Sequence, residues 1–391
     1  MNPVPYLAFV AFTLTLLHSY RSYLLEAILE CCPVTQFMSI VEDSIVGRVK
    51  EYAADAFGNF VLQSCLRRST SELTGNFDSK SEIFSLAETV LAEALGCDAE
   101  GPIDLETFRD LLKTRGGVAL WLLSTAKALA SSSTSSSWFP LIASTILKCW
   151  EGSSRLCDAL PSLLAEEKGA DRFDGSRGQL LVGRLLKVLL SSEGAAGDCV
   201  LKGLSFLSKE HLLSIATSPQ LSKLILDSIY DVSNAARVRS TDGLRLTHTI
   251  ISISVELATH FIGQHVLRRL FERVGEVEKE LIAQRIVGER EKIGRSKEGR
   301  NSLREVQADL LSSDPKEWRT VMKRRVRAEQ VVEELKGLNG CSKVKSGAEN
   351  SIAKQNTKVN DEDNDKEDNE EGAQEQTGKR KRKRKRSGKS A

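Results

Sequence analysis

The apolar residues of this chain follow the spacing of an α-helix over long segments. Apolar residues recur at i, i+3, i+4 and i+7 in the segments 84–95, 118–129, 180–190 and 250–270. Strand-type alternation is nearly absent, and the 391 residues include only eight prolines. The sequence therefore predicts an all-α protein.

Segments rich in Ser, Gly and Asp separate these helical stretches at 131–137, 168–178 and 191–198, and their composition predicts loops. A helix start is predicted within SSDPKEWR, with Asp314 as N-cap, Pro315 at the first helical position and Glu317 completing a capping box. Trp318 is then expected to pack inward.

The stretch DAFGNFVLQSCLRR at 55–68 carries two amides among residues of core type. A helix that starts near Asn59 places Asn59 and Gln63 one turn apart on one face. The same helix buries an apolar stripe on another face, formed by Val61, Leu62, Cys65 and Leu66. Two amides placed in this way can grip a ligand.

The same polar and flat side chains recur in three columns along the chain, at a period of about 36 to 42 residues that is typical of helical solenoids. Four segments fill the columns: Ser22, Tyr23 and Glu26; Asn59, Phe60 and Gln63; Gln264, His265 and Arg268; and Arg300, Asn301 and Arg304. Two weaker members are RGGVALWLL at 115–123 and QLSKLILDSI at 220–229. In the latter, Ser222 and Lys223 take the first two columns and the spacing after them stays open.

The pattern Gly-Asn-Phe-x-x-Gln, preceded by EYAAD, resembles the pumilio (PUF) RNA-binding repeat, whose second helix lines a concave surface and reads one base. RSYLLEAIL, RGGVALWLL and DPKEWR are similar to segments of the divergent nucleolar protein nine subfamily. The resemblance extends over residues 20–327. It implies an α-solenoid of degenerate pumilio-like repeats over residues 1–335. It also implies a non-catalytic protein without a cofactor, which binds ribosomal precursor RNA during small-subunit assembly and modulates its processing.

In that family the first and third columns hydrogen-bond a base edge, and the second column stacks between bases. The resemblance therefore assigns a uracil edge to Asn59 and Gln63 over Phe60, and a guanine edge to Ser22 and Glu26 beside Tyr23. It places Gln264, His265 and Asn301 on the concave surface, and phosphate contacts are expected at Arg268, Arg300 and Arg304. Two alternatives remain open: Asn59 as a helix N-cap, and a solvated helix face for the arginines.

The C-terminal residues 336–391 read as a disordered acidic and then basic tail. Residues 361–371 hold eight acids and one lysine, which cannot bury enough apolar surface to fold. Eight consecutive cations follow, in the composition of a nuclear import and nucleolar retention signal: Lys379, Arg380, Lys381, Arg382, Lys383, Arg384, Lys385 and Arg386. The expected location is the nucleus and nucleolus. The expected partners are RNA, pre-ribosomal proteins and a nuclear import receptor, with no membrane, and the expected state is a monomer.

Two features bear on the compartment. The segment YLAFVAFTLTLL at 6–17 has the length of a signal-peptide core, but no cation precedes it and no cleavage site follows. It is expected to be a core helix at a solenoid end, or a start inside a longer chain. The eight cysteines lie in apolar helical text and are expected to be buried, reduced and intracellular.

The sequence contains no catalytic or metal-binding motif, and His260 and His265 are too far apart along a helix to hold one metal ion. Two other functions remain. A cytoplasmic pumilio regulator of messenger RNA requires several intact reading triplets, whereas only two approach that pattern here. A HEAT- or armadillo-like scaffold has similar helices and binds a protein in its groove.

The basic run generates the first testable prediction. Deletion of residues 379–386 is expected to move the protein from the nucleolus to the cytoplasm, because an accessible run of eight cations is lost. Fluorescence microscopy of a tagged deletion variant measures this, with deletion of the acidic residues 361–371 as the control. An unchanged nucleolar signal would contradict the assignment.

Overall fold

A computed structural model describes residues 20–75, 80–97, 101–114, 116–133, 136–151, 155–164 and 175–342. Every regular element in these ranges is helical, which confirms the all-α prediction. The chain divides into two units, residues 1–326 and 327–391. The segment 6–17 and the charged tail from residue 343 onward lie outside the described residues, so the predictions made for them stay predictions. None of the helices in the described ranges has the length and apolarity needed to cross a membrane.

The helices follow one another with short connections. In chain order they are α1 (Tyr20–Cys31), α2 (Val34–Ser44), α3 (Val49–Ala54), α4 (Gly58–Thr74), α5 (Lys80–Leu95), α6 (Leu105–Thr114), α7 (Gly116–Ser132), α8 (Trp138–Glu151), α9 (Leu156–Leu164), α10 (Gly175–Leu190), α11 (Ala195–Ser205), α12 (Lys209–Thr217), α13 (Pro219–Leu221), α14 (Asp227–Ile229), α15 (Ala235–Val238), α16 (Thr241–Ser252), α17 (Ser254–Thr259), α18 (Gly263–Arg273), α19 (Glu276–Gly288), α20 (Arg290–Ile293), α21 (Lys297–Glu305), α22 (Ala308–Ser313) and α23 (Pro315–Ser342). A π-helical turn, Ser222–Leu226, joins α13 to α14, and a 3-10 turn, Val232–Asn234, follows α14.

Two rows of stacked helices run through unit 1. We call α1, α4, α7, α10, the segment 219–229, α18 and α21 the first row. Within it α1 packs on α4, α4 on α7, α7 on α10 and α10 on the π-helical turn, while α18 packs on α21. In the second row α8, α9, α11, α16, α19 and α22 pack in that order. This stacking of successive helices is the predicted α-solenoid.

Helix α4 shows how a first-row helix is oriented. It begins at Gly58, one residue before the predicted start, and the predicted apolar stripe is buried. Leu62, Cys65 and Leu66 are fully inaccessible to solvent, and burial raises the pKa of the Cys65 thiol to about 12. Because this stripe must face the core, the side of the helix away from it faces outward, and Phe60 of the second column is exposed there.

Glycine is required where some first-row helices begin. At α21 the Gly299 N–H donates to the Ser296 hydroxyl at 2.9 Å, which caps the helix. A Cβ on Gly299 would lie 1.9 Å from the Ile293 carbonyl oxygen, at the end of α20. At α4 the Asp55 carboxylate caps the Gly58 N–H at 2.6 Å in the same arrangement.

The helical spacing over 250–270 is divided among three helices. The chain turns at Ile253, between α16 and α17, and again between α17 and α18. At the second turn the His260 Nδ1 accepts hydrogen bonds from the N–H groups of Ile262 and Gly263, at 3.2 and 3.3 Å. Capping by the His260 side chain therefore starts a new helix within an apolar segment of the sequence. Two loop predictions are too long, because α10 starts at Gly175 and α11 at Ala195.

Helix α23 begins as predicted at Pro315. The Asp314 carboxylate accepts from the N–H groups of Lys316 and Glu317 at 2.9 and 3.0 Å. Trp318 is buried and donates its indole N–H to the Val306 carbonyl at 2.8 Å. The reciprocal half of the capping box is wrong, because the Asp314 N–H donates to the Leu310 carbonyl at 2.8 Å instead. The helix continues to Ser342, past the domain boundary predicted at 335.

The cysteine prediction is partly wrong. Cys65 is buried, whereas Cys31 is exposed at the end of α1. Five others are half-buried: Cys32, Cys97, Cys149, Cys157 and Cys199.

Candidate nucleic-acid interface

The predicted columns have a consistent orientation on α1 and α4. First-column side chains are buried, with Ser22 at 6% and Asn59 at 4% exposure. Second-column rings project into solvent, with Tyr23 at 71% and Phe60 at 49% exposure. Third-column side chains, at one turn from the first, are half-buried. Adjacent helices thus present a flat ring and a polar pair side by side.

On α4 the two amides hold each other. The Asn59 Nδ2 donates to the carbonyls of Asp55 and Ala56 at 2.9 and 2.7 Å. The Gln63 Nε2 donates to the Asn59 Oδ1 at 2.9 Å. Asn59 is not the N-cap, because the helix starts at Gly58 and the N-cap position belongs to Phe57. The Asp55 carboxylate accepts from the Gly58 N–H in the turn before it. Asn59 therefore fixes the carboxamide of Gln63 from within the helix, and Gln63 is the more accessible of the two amides.

Helix α7 accommodates Gln63 by having no side chain beside it. A Cβ on Gly117 would lie 2.5 Å from the Gln63 Oε1. The preceding residue of α7, Gly116, is buried. A Cβ on Gly116 would lie 2.0 Å from a methyl group of Leu181. In the repeat pattern of the sequence, RGGVALWLL is only a weak member, and its glycines had no predicted role. Because glycine is a poor helix former, two successive glycines within α7 are the sequence signal for this close approach.

On α1 the equivalent pair is a hydroxyl and a carboxylate. The Ser22 hydroxyl donates to the Glu26 carboxylate. The Glu26 Oε1 is buried and has no hydrogen-bond partner. Burial raises the pKa of Glu26 above its usual value, against the opposing effects of the Ser22 hydrogen bond and the positive charge of Arg67. The pair therefore retains an unused acceptor next to the exposed ring of Tyr23.

The predicted residues near the C-terminal end of unit 1 come together around one groove. It lies between α18 and α21 and has a volume of about 370 Å³. Five predicted site residues line it: Gln264, His265, Arg268, Asn301 and Arg304. Arg300, the sixth, is exposed on α21 and donates to the carbonyls of Gly294 and Arg295 at 3.2 and 3.5 Å.

Polar contacts connect the two walls of this groove. The Asn301 Nδ2 donates to the Gln264 Oε1 at 3.5 Å, and Arg304 donates to the Asn301 Oδ1 at 3.0 Å. Arg268 is 61% exposed and lies 3.1 Å from Glu272 on its own helix and 3.9 Å from Glu305 on α21. The groove therefore carries guanidinium groups that are held by side chains but remain open to solvent, as a phosphate contact requires.

An aromatic residue that the columns did not include contacts His265, which lines this groove. Phe261 precedes α18 and is 64% exposed. Its ring meets the His265 ring edge to face, with centroids 6.0 Å apart. The sequence signal was an apolar ring directly before the capped start of a helix, outside the repeating columns.

The structure thus forms two groups of predicted site residues. The triplets that begin at Ser22 and Asn59 are neighbours on α1 and α4, and those that begin at Gln264 and Arg300 are neighbours on α18 and α21. Helices α7, α10 and the segment 219–229 lie between the two groups in the first row. No cluster of three potential metal ligands occurs in the described part of the chain.

Comparisons with known proteins agree with this architecture. Residues 9–301 match the family described as NOP9-like PUF repeat domain. A structure of APUM23-GGAGUUGACGG is similar with a TM-score of 0.58 at 17% identity, over 78% of this chain and 53% of that chain. A structure of APUM23 with its insert region deleted, with GGAAUUGACGG, has a TM-score of 0.57 at 19% identity, over 78% of this chain and 55% of that one.

The chain therefore spans about half the length of these APUM23 structures, and at such identities the likeness shows the fold alone. No curated protein sequence matches the chain.

The unused oxygen of Glu26 generates a prediction about pH. Because the folded state raises the pKa of Glu26, its ionisation opposes folding at neutral pH, and the opposition disappears as the pH falls below the unfolded value. Glu26→Gln is therefore expected to raise the melting temperature at about pH 7 and to lose that advantage near pH 4. Glu42→Gln, at an exposed position of α2, controls for the removal of one negative charge. A wild type that is more stable than Glu26→Gln at pH 7 would contradict the prediction.

Proposed function

This chain belongs to the family of NOP9-like PUF repeat domains, and from that premise we propose that it binds single-stranded RNA along the outward face of its first-row helices. The observation that carries the proposal is the alignment on α1 and α4. Each helix presents an exposed ring beside a polar pair one turn long, and the two helices are in contact. This is the arrangement in which one helical repeat reads one base.

Single-stranded RNA is the ligand that suits this face. An exposed ring can stack only on a base that has left a duplex, and stacking contributes on the order of 1–3 kcal/mol per base with little selectivity. The polar pairs supply selectivity. The Gln63 carboxamide has both a donor and an acceptor, which match a uracil edge, whereas the Ser22 and Glu26 pair accepts, which matches guanine N1–H and N2–H₂.

The groove between α18 and α21 fits a different contact. Its predicted base-reading positions carry Arg268 and Arg304, and Arg300 lies beside it. Guanidinium groups favour phosphate oxygens, so this end of the row holds the RNA backbone and contributes affinity more than sequence choice. The APUM23 structures that resemble this chain carry uracil-containing sequences in their names, which supports RNA as the ligand class.

The finer proposal is that the bound RNA is ribosomal precursor RNA, and that binding during small-subunit assembly modulates its processing without catalysis. The family match and the scattered segments similar to nucleolar protein nine support it. The basic run at 379–386 supports a nuclear and nucleolar location through an import receptor.

Filter binding of the full chain tests this RNA class. Ribosomal precursor RNA from the small-subunit region is expected to bind at least tenfold more tightly than unrelated RNA of equal length and structure. Preference for messenger 3′ regions would favour the cytoplasmic regulator. Absence of RNA binding with capture of a protein would favour the scaffold.

The reading role of α4 gives a prediction on base choice. Asn59→Ser with Gln63→Glu rebuilds on α4 the serine and carboxylate pair of α1. It is therefore expected to exchange a uracil preference for guanine at one RNA position. Phe60→Ala is expected to weaken binding by about 1–3 kcal/mol with little change in base choice. Affinities for RNAs varied one base at a time measure both effects.

Gln36→Glu is the matched control, because it adds the same charge at an exposed position of α2. Because Asn59 also makes two hydrogen bonds to its own turn, its replacement is expected to lower stability by about 1 kcal/mol, which thermal melting measures separately. A change in stability with an unaltered base preference would remove Asn59 and Gln63 from the interface.

A further inference from the structure

The π-helical turn in the first row shifts the register of one repeat by a single residue. In α4 the first column is Asn59, and the buried stripe follows it by two, three, six and seven residues. In the segment 219–229 the first column is Ser222, which is likewise buried. Its core residues follow by three, four, seven and eight: Ile225, Leu226, Ile229 and Tyr230. Each of these core residues therefore lies one position further from the first column than its counterpart in α4.

The backbone accounts for the shift. The Asp227 N–H donates to the Ser222 carbonyl, five residues earlier, and this bond closes the π-helical turn. A π-helical turn inserts one residue into a helix and leaves the helix on either side in phase with its neighbours. The inserted residue therefore lies after the first column and before the third.

The insertion changes which side chain fills the third column. In an unbroken α-helix the third column would be filled by Leu226, four residues after Ser222. Leu226, however, is 1% exposed and belongs to the core. Five residues after Ser222 is Asp227, which is half-buried, as Glu26 and Gln63 are in their helices. Lys223, in the second column, is exposed in the same way as Tyr23 and Phe60. The segment thus presents a serine and a carboxylate in the same order as α1.

Asp227 lies among cations from both neighbouring first-row helices. Its carboxylate forms an ion pair with Arg269 of α18 at 3.0 Å. Burial raises the pKa of Asp227, and the charges of Arg269, Lys223, Lys187 and His265 oppose this. Lys187 belongs to α10, and His265 is the second-column residue of α18. The carboxylate therefore faces the same surface as the columns before and after it.

We propose that Asp227 is a base-reading residue that the π-helical turn brings into the third column, and that it accepts hydrogen bonds from a guanine. This rests on the proposed function, that the first row binds single-stranded RNA. Guanine is the base that presents two adjacent N–H donors, at N1 and N2, and a carboxylate offers two acceptor oxygens to them. Ser222 contributes the buried first column, and Arg269 holds the carboxylate in place before RNA arrives.

The test uses the full chain and a pool of random single-stranded RNA 12-mers, with sequencing of the bound fraction for each variant. In the wild type one position of the selected sequence is expected to be guanine. Asp227→Asn is expected to lower that preference about tenfold or more, because one acceptor becomes a donor that faces a donor. Asp309→Asn is the matched control, since Asp309 of α22 also pairs with an arginine, Arg290. It is expected to leave the selected sequence unchanged.

A second variant separates reading from simple ion pairing. Arg269→Gln breaks the same ion pair but leaves the carboxylate, so the guanine preference is expected to persist. If Asp227→Asn and Arg269→Gln lower the melting temperature alike and neither changes the selected bases, Asp227 serves only the ion pair and the inference is overturned. A cytosine or adenine preference at that position would also overturn it. If the wild type selects no RNA, the proposed function fails; if it selects bases through α1 and α4 alone, only this inference fails.

Discussion

The rotation of each first-row helix about its own axis determines which side chains that helix presents to a ligand. Burial of an apolar stripe fixes that rotation, as Leu62 and Leu66 do in α4. The rings of Tyr23 and Phe60 are left in solvent as a result. Apolar rings exposed side by side in this way indicate a binding surface. Small changes in the stripe would turn the helix and misdirect every column it carries.

Preorganisation differs between the two ends of the row. On α4 the Gln63 carboxamide donates a hydrogen bond to Asn59 and packs against Gly117 of α7. One rotamer of Gln63 is therefore favoured before any ligand binds. At the α18 and α21 groove the exposed Arg268 pairs with the half-buried Glu272, and an ion pair that is open to solvent contributes little to stability. A precise contact and an adaptable one therefore coexist on a single surface.

The sequence predicted what depends on periodicity and missed what depends on turns. The stripe of α4, the order of the columns and the cap at Asp314 follow from spacing and residue type alone. Apolar spacing runs through the helix breaks at Ile253 and before Gly263, so the sequence did not reveal them. The N-cap alternative for Asn59 was wrong because the turn before α4 supplies the Asp55 carboxylate, which accepts from the Gly58 N–H. The π-helical turn at Ser222 has no residue signature, so the column after it could not be placed.

The stacking of each helix mainly on its immediate neighbours has a consequence for how the protein folds. In such an array the free energy of unfolding is approximately a sum of terms from single repeats and from the interfaces between them. A perturbation at one junction, such as a side chain introduced at Gly299, is then felt over about one repeat and fades beyond it. The α1 end and the α21 end can open separately, so cooperativity is regional and each end can acquire substitutions without destabilising the other.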